Sequence, residues 1–231
     1  MVIPTSPILP IRAVLFDWGD TLFESPHAPT VILNAARERG IAIGDAEANA
    51  VWDELWAAGK TAEAHGQGRD LSREAHRRVW TELFSRANDR VPGIDRVLYE
   101  RVMDPAGWVP YPDTASTLRA LKERAIAVGI VSNHVHDLRP YFAAKDLARY
   151  IDAYAISSEV GATKPDPRIF TAACAMLGTR PAETLMVGDD PVADAGAGTA
   201  GLQVYILPPY DGAGAPRGLD RVVALVDRSR A

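Results

Sequence analysis

Apolar runs punctuate the chain and end in small or acidic residues: AVLFD (13–17), IAVGIVSN (126–133), DAYAISS (152–158), TLMVGDD (184–190) and QVYIL (203–207). Continuous Val, Ile and Leu, without strict apolar–polar alternation, marks strands buried on both faces and predicts a parallel sheet. Between the runs lie segments of helical pattern: DTASTLRALKER, DLRPYFAAKDLARY, DPRIFTAACAMLG closing on Gly178, and PVADAGAGTAG. Strand alternating with helix predicts an α/β protein with a doubly wound, Rossmann-like sheet. A final amphipathic helix follows PPYDGAGAPRG (208–218), whose Gly and Pro content reads as a surface loop.

The alternation stops after the first strand. Residues 24–106 read as helices only, with candidates Thr30–Arg39, Asp45–Ala64, Leu71–Asn88 and Ile94–Met103 separated by Gly40, the HGQGR turn and VPG. This predicts a four-helix insert, 24–106, in a core formed by 1–23 and 107–231. The insert leaves and returns (Pro105–Pro112) at the carboxyl edge of the sheet, where ligands of open α/β sheets bind. It is placed to cover a site.

Composition narrows the function. At 231 residues the chain is one large domain or a core with a sizeable insert, and 47% hydrophobic with 24% charged residues is ordinary for a globular protein. The net charge of −5, with no basic excess in either the insert or the rest, argues against a nucleic-acid partner. The single cysteine, Cys174, cannot form an internal disulfide, fits a reducing compartment and reads as core. The opening MVIPTSPILPIR has three prolines and no basic start, so neither a signal peptide nor a membrane span is expected, and the cytoplasm is the expected location.

Four polar clusters fall at the predicted strand ends and the loops beside them. The first strand ends in Asp17-Trp18-Gly19-Asp20-Thr21-Leu22, the second in Ser132-Asn133, the fourth in Gly188-Asp189-Asp190 with Asp194 following, and Lys164 lies in GATKPDP. Side chains at the carboxyl ends of parallel strands converge on one mouth, so carboxylates, a hydroxyl and an ammonium are expected to meet there.

In these residues the chain resembles the haloacid dehalogenase (HAD) superfamily of hydrolases. The pattern hhhD-x-x-x-T-L, then hhhS-N, then K-P, then hhGD-x-x-x-x-D occurs in order at ordinary spacing, and the helical insert matches a C1-type cap. The resemblance implies a Mg²⁺-dependent phosphatase of a small phosphorylated metabolite. Asp17 is then the nucleophile that forms an aspartyl-phosphate. Ser132 hydrogen-bonds the phosphoryl oxygens, with Asn133 beside it, and Lys164 holds Asp17 and the transferring group by charge. Asp17, the Gly19 carbonyl, Asp189 and Asp194, directly or through water, are the implied Mg²⁺ ligands.

One departure from the family matters. Its phosphomonoesterases carry a second aspartate two residues after the nucleophile, which protonates the leaving oxygen and then activates water; here Gly19 stands in its place. Metal binding and attack survive the change, but general acid–base catalysis, worth about 10² to 10⁴ in rate, is expected to suffer. Asp20 substitutes only if the turn follows a shifted path. Two branches of the family that lack this aspartate are alternatives. A phosphonoacetaldehyde hydrolase would use a cap lysine, for which Lys60, on a stripe with Trp52 and Trp56, is the candidate. A 2-haloacid dehalogenase lacks an acidic fourth motif, which GDDPVAD argues against. A HAD-like binding or regulatory protein weakened at Gly19 is a further alternative.

The remaining features have plainer readings. Trp52 and Trp56 at helical spacing read as bundle core. Lys60 reads as a solvated helix residue, and the Arg69, Arg73, Arg77 row with Glu74 as a solvated face or else a phosphate-recruiting rim. His134 and His136 read as part of a polar loop, with nothing pairing them as metal ligands.

Overall fold

The computed structural model describes residues 9–210 and 214–231. They fall into two compact units: the chain up to Glu24 with Pro110–Asn133 and Asp137–Ala231, and Ser25–Val109 with His134–His136. The strands are β1 (Ala13–Phe16), a short pair β2 (Phe23–Glu24) and β3 (Val109–Pro110), then β4 (Ala127–Ser132), β5 (Ala153–Ile156), β6 (Thr184–Gly188) and β7 (Gln203–Ile206). Five of them form one parallel sheet in the order β5-β4-β1-β6-β7. Strand β1 is fully buried along its length, as its unbroken apolar run requires. After β1 the chain builds outward through β4 and β5, and after β6 it turns the other way to β7. The order reverses between β1 and β6, so the crevice for a ligand opens at their carboxyl ends.

The second unit contains five helices where the sequence predicts four: α1 (Pro29–Glu38), α2 (Asp45–Gly59), α3 (Ala62–Gly66), α4 (Arg73–Ser85) and α5 (Ile94–Met103). The predicted helix over 45–64 is broken at Lys60, and the Thr61 hydroxyl caps the start of α3 by accepting from the Ala64 N–H. Likewise α4 starts after Ser72, whose hydroxyl accepts from the Ala75 N–H, and not at Leu71. Trp52, Trp80 and Phe84 belong to the buried core of this unit, with Trp56 packed partly buried against it. Trp56 stacks on both Trp52 and Trp80, at ring separations of 5.2 and 5.3 Å.

The sheet unit adds α6 (Thr114–Glu123), α7 (Arg139–Ala143), α8 (Ser157–Val160), α9 (Pro167–Leu177) and α10 (Asp220–Ser229). Leu15, Val131, Ala155 and Met186 cluster on one face of the sheet with Ile169, Phe170, Ala173 and Cys174 of α9. Cys174 is a buried free thiol. Two predicted helices are shorter than their patterns: DLRPYFAAKDLARY forms α7 and a 3₁₀ turn at Ala148–Tyr150, and PVADAGAGTAG forms only a 3₁₀ segment, Ala195–Ala200. In the first, α7 closes at Ala143 and Asp146 turns left-handed at a φ of 57°, and in the second Gly196 and Gly198 weaken helix. The predicted surface loop 208–218, of which 211–213 lie outside the described residues, contains a buried arginine, Arg217, 4% exposed. Among the described residues no helix is long and apolar enough to cross a membrane.

Candidate active site

Asp17 follows β1 directly, its N–H donating 2.9 Å to Val187 O of β6, which places its side chain at the reversal point of the sheet. Lys164 Nζ lies 2.7 Å from Asp17 Oδ1 and 2.6 Å from Asp194 Oδ1. The Lys164 and Asp194 side chains are 3% and 0% exposed, so this is a buried ammonium between two carboxylates. Burial works against the Lys164 charge, but Asp17 and Asp194 outweigh it and hold the pKa above the ordinary lysine value.

Asp189 ends the β6 run and accepts 3.0 Å from the Thr21 hydroxyl. Asp17, Asp189 and Asp194 each offer a carboxylate oxygen within 4.8 Å of the others, the one such cluster of potential metal ligands among the described residues. Burial raises the pKa of Asp17, and Asp194 and Asp189 add to the rise against the opposing pull of Lys164. Asp189 is also raised, by burial first and then by the charges of Asp20 and Asp194. Three crowded carboxylates around one ammonium leave negative charge that a cation would offset. An all-oxygen donor set suits Mg²⁺, so the residues fit that ion.

Asp194 is held from both sides. Its Oδ2 accepts 3.0 Å from the Asp190 N–H while Oδ1 meets Lys164, which leaves it suited to a metal through water. Asp190 Oδ1 in turn accepts from the Val192 and Ala193 N–H groups at 2.7 and 2.8 Å, closing the GDDPVAD loop on itself. A Cβ on Gly188 would lie 2.1 Å from Asp194 Oδ2, so the acidic motif requires glycine there.

Ser132 is the last residue of β4 and is 4% exposed. The neighbouring Asn133 grips the Lys164 backbone: its Oδ1 accepts 2.7 Å from Lys164 N–H, and its Nδ2 donates 3.0 Å to Lys164 O. The S-N pair thereby ties the second motif to the third.

The turn after Asp17 is closed by its own backbone. Leu22 and Phe23 N–H donate to Trp18 O at 3.0 and 2.9 Å, and Asp20 N–H donates to Phe23 O at 2.7 Å. Gly19 brings no side chain to this turn, and Asp20 adopts a left-handed φ of 56°. The charge of Asp20 is felt at Asp189, whereas the groups acting on Asp17 are Lys164, Asp194 and Asp189.

The helical unit corrects two expectations. Arg69 is not on a solvated helix row: it precedes α4, is 5% exposed, and its Nε lies 3.0 Å from the buried Asp70. His134 and His136 are not in an open polar loop. They pack with His76 at ring separations of 5.7 to 5.9 Å, and burial holds the pKa of all three below the ordinary histidine value. Lys60 caps the end of α2, its ammonium 6.0 Å from the centre of the Trp56 ring. Sequence reasoning also missed the partners of Thr21 and Arg217, which lie 168 and 197 residues away and have no local signature.

Comparison with known proteins identifies the family. The haloacid dehalogenase-like hydrolase family matches residues 11–201. A ribulose-1,5-bisphosphate 5-phosphatase of Halopiger xanaduensis is 30% identical over 218 residues, 90% of each chain. A phosphoserine phosphatase of Thermus thermophilus is 33% identical over 222 residues, 84% of this chain and 87% of the other. The fold is shared with a magnesium-bound HAD hydrolase from Bacillus subtilis, at a TM-score of 0.71 and 17% identity over 94% of this chain and 99% of that one. The protein belongs to the haloacid dehalogenase-like hydrolases and is an enzyme of that family.

Proposed function

We propose that this hydrolase is a Mg²⁺-dependent phosphatase of a small phosphorylated metabolite, acting through Asp17. The observation that carries the reading is the buried Asp17–Lys164–Asp194 bridge with Asp189 alongside, at the reversal point of the sheet. The curated relatives, named for ribulose bisphosphate and phosphoserine, support a small phosphorylated substrate. Asp17, the Gly19 carbonyl and Asp189 would hold Mg²⁺, with Asp194 joining through water. When bound, the ion supplies positive charge that lets an anionic nucleophile approach an anionic phosphoryl group.

Asp17 Oδ attacks phosphorus, the leaving oxygen departs, and water then hydrolyses the aspartyl-phosphate to regenerate the carboxylate. Lys164 stabilises charge on Asp17 and on the transferring group. Ser132 donates to a phosphoryl oxygen, and Asn133 acts by fixing the backbone of Lys164. The helical unit is the candidate for the substrate-selecting cap that the family resemblance implies. With glycine at position 19, the leaving group departs without the usual acid, so the enzyme favours phenolic, acyl or otherwise activated phosphates.

The test is the dependence of rate on leaving-group pKa, with Mg²⁺, over aryl, acyl, alkyl and sugar phosphates. A steep fall with increasing leaving-group basicity, and loss of all turnover in Asp17→Asn, is the expected result. A flat dependence would show that another group donates the proton, and turnover surviving in Asp17→Asn would overturn the nucleophile assignment. Lys60→Arg is expected to retain activity; its loss would favour Schiff-base chemistry.

A further inference from the structure

We propose that Arg217 is a positioning residue for the nucleophile turn: by pinning the Asp20 carbonyl it aims the Thr21 hydroxyl at Asp189. The proposal rests on the reading of Asp17 and Asp189 as the reacting and metal-binding carboxylates. Asp20 is the left-handed residue of the turn, and its carbonyl accepts 2.8 Å from Arg217 Nε. The peptide that carries this carbonyl continues directly into Thr21, which is fully buried and donates 3.0 Å to Asp189 Oδ1. Fixing the plane of the 20–21 peptide fixes the direction of the Thr21 side chain, and with it one oxygen of Asp189.

The guanidinium is itself framed from several sides. Arg217 is 4% exposed, its Nη1 donates 2.7 Å to Pro208 O, and its charge lies 5.6 Å from the Tyr210 ring centre. The segment is anchored by Asp113, whose carboxylate accepts from three successive N–H groups, those of Arg217, Gly218 and Leu219, at 2.9, 2.8 and 2.8 Å. Asp113 stands at the start of α6, and the anchored segment leads into α10, so the clamp is set on two helices of the sheet unit. A buried arginine whose Nε meets the carbonyl beside the catalytic carboxylates is built for geometry; a residue needed only for solubility would sit in solvent.

The experiment uses the full chain. Arg217→Met and the milder Arg217→Lys are each made alone and with Thr21→Val, and Asp17→Asn is the control. Three quantities are read: kcat and KM for p-nitrophenyl phosphate, calorimetric Mg²⁺ affinity without substrate, and Tm. A misplacement of about 1 Å can lower rate by about 100-fold, so a smaller shift of Asp189 is expected to lower kcat by about 10- to 100-fold in Arg217→Met with KM little changed. Mg²⁺ affinity is expected to weaken in parallel, with Arg217→Lys intermediate.

The decisive comparison is the cycle, because residues acting through one contact are non-additive. In the Thr21→Val background the Arg217 substitutions are expected to cost little further rate or Mg²⁺ affinity. Equal losses in both backgrounds, or a lower Tm with kcat and Mg²⁺ affinity unchanged, would overturn the proposal. If Arg217→Met does not fold, the same cycle with Arg217→Lys decides it. Failure of the phosphatase reading is seen separately, as absent turnover in the parent or turnover that survives Asp17→Asn.

Discussion

Two residues beside Lys164 and Asp194 set how tightly the cluster of charges is held. Asn133 satisfies the N–H and the C=O of Lys164 together, so Asn133→Ala leaves two backbone groups to find other partners. Each such loss costs about 1–3 kcal/mol when the group is buried, and the ammonium is no longer fixed between Asp17 and Asp194. Turnover is expected to drop by more than tenfold with a lower Tm, checked by steady-state kinetics beside thermal unfolding. Gly188→Ala tests the other side. The added carbon would overlap Asp194, so that carboxylate must leave Lys164 or the loop must move. Mg²⁺ affinity measured by calorimetry is expected to weaken, and an unchanged affinity would show that Asp194 plays no part in holding the ion.

At the scale of elements, the helical unit depends on ring packing between α2 and α4. A Cβ on Gly59 would lie 2.3 Å from the Trp80 ring, which is itself stacked on Trp56. Gly59→Ala is therefore expected to destabilise this unit by about 1–3 kcal/mol through overpacking, although alanine is the better helix former. Chemical denaturation followed by tryptophan fluorescence measures this, since Trp52, Trp56 and Trp80 all lie in the unit. Ser72→Ala removes the cap of α4 and is expected to cost about 1 kcal/mol by the same assay. The helix break at Lys60 was invisible in the hydrophobic pattern, which continues across it, and the start of α4 after Ser72 lies two residues beyond the predicted Leu71. A capping hydroxyl competes with the pattern locally and ends or starts the helix there.

For the whole molecule, acid sensitivity follows from the buried imidazoles. Burial lowers the pKa of His76 and of His134 to about 3, against 6.5 for an unperturbed histidine; Arg69 and His136 push in the same direction and Asp70 opposes them. Between those values the unfolded chain binds protons at these histidines that the folded chain does not, so their contribution to stability falls as pH is lowered from about 6.5 toward 3. Each of the two contributes up to about 1.4 kcal/mol per pH unit in that window, and Asp70, whose pKa is lowered, adds its loss only below the ordinary carboxylate range. Asp17 and Asp189, whose pKa values are raised, work in the opposite direction over the same range, so the test is a difference: between pH 4 and pH 6.5 the urea midpoint is expected to climb less, or fall more, in His76→Gln than in the parent. The sequence alone determined the parallel sheet, the helical insert and the four motifs, because continuous apolar runs and strand-end polar residues are local signals. It also placed Asp17, Ser132, Lys164, Asp189 and Asp194 at strand ends or the loops beside them. Only the tertiary structure decided that Asn133 grips Lys164, that Thr21 meets Asp189, that Arg217 is buried against Asp20, and that His134 is buried and, with the partly buried His136, packs against His76. Those contacts join residues 31 to 197 positions apart or depend on burial, and neither distance in space nor exposure is written in a local pattern.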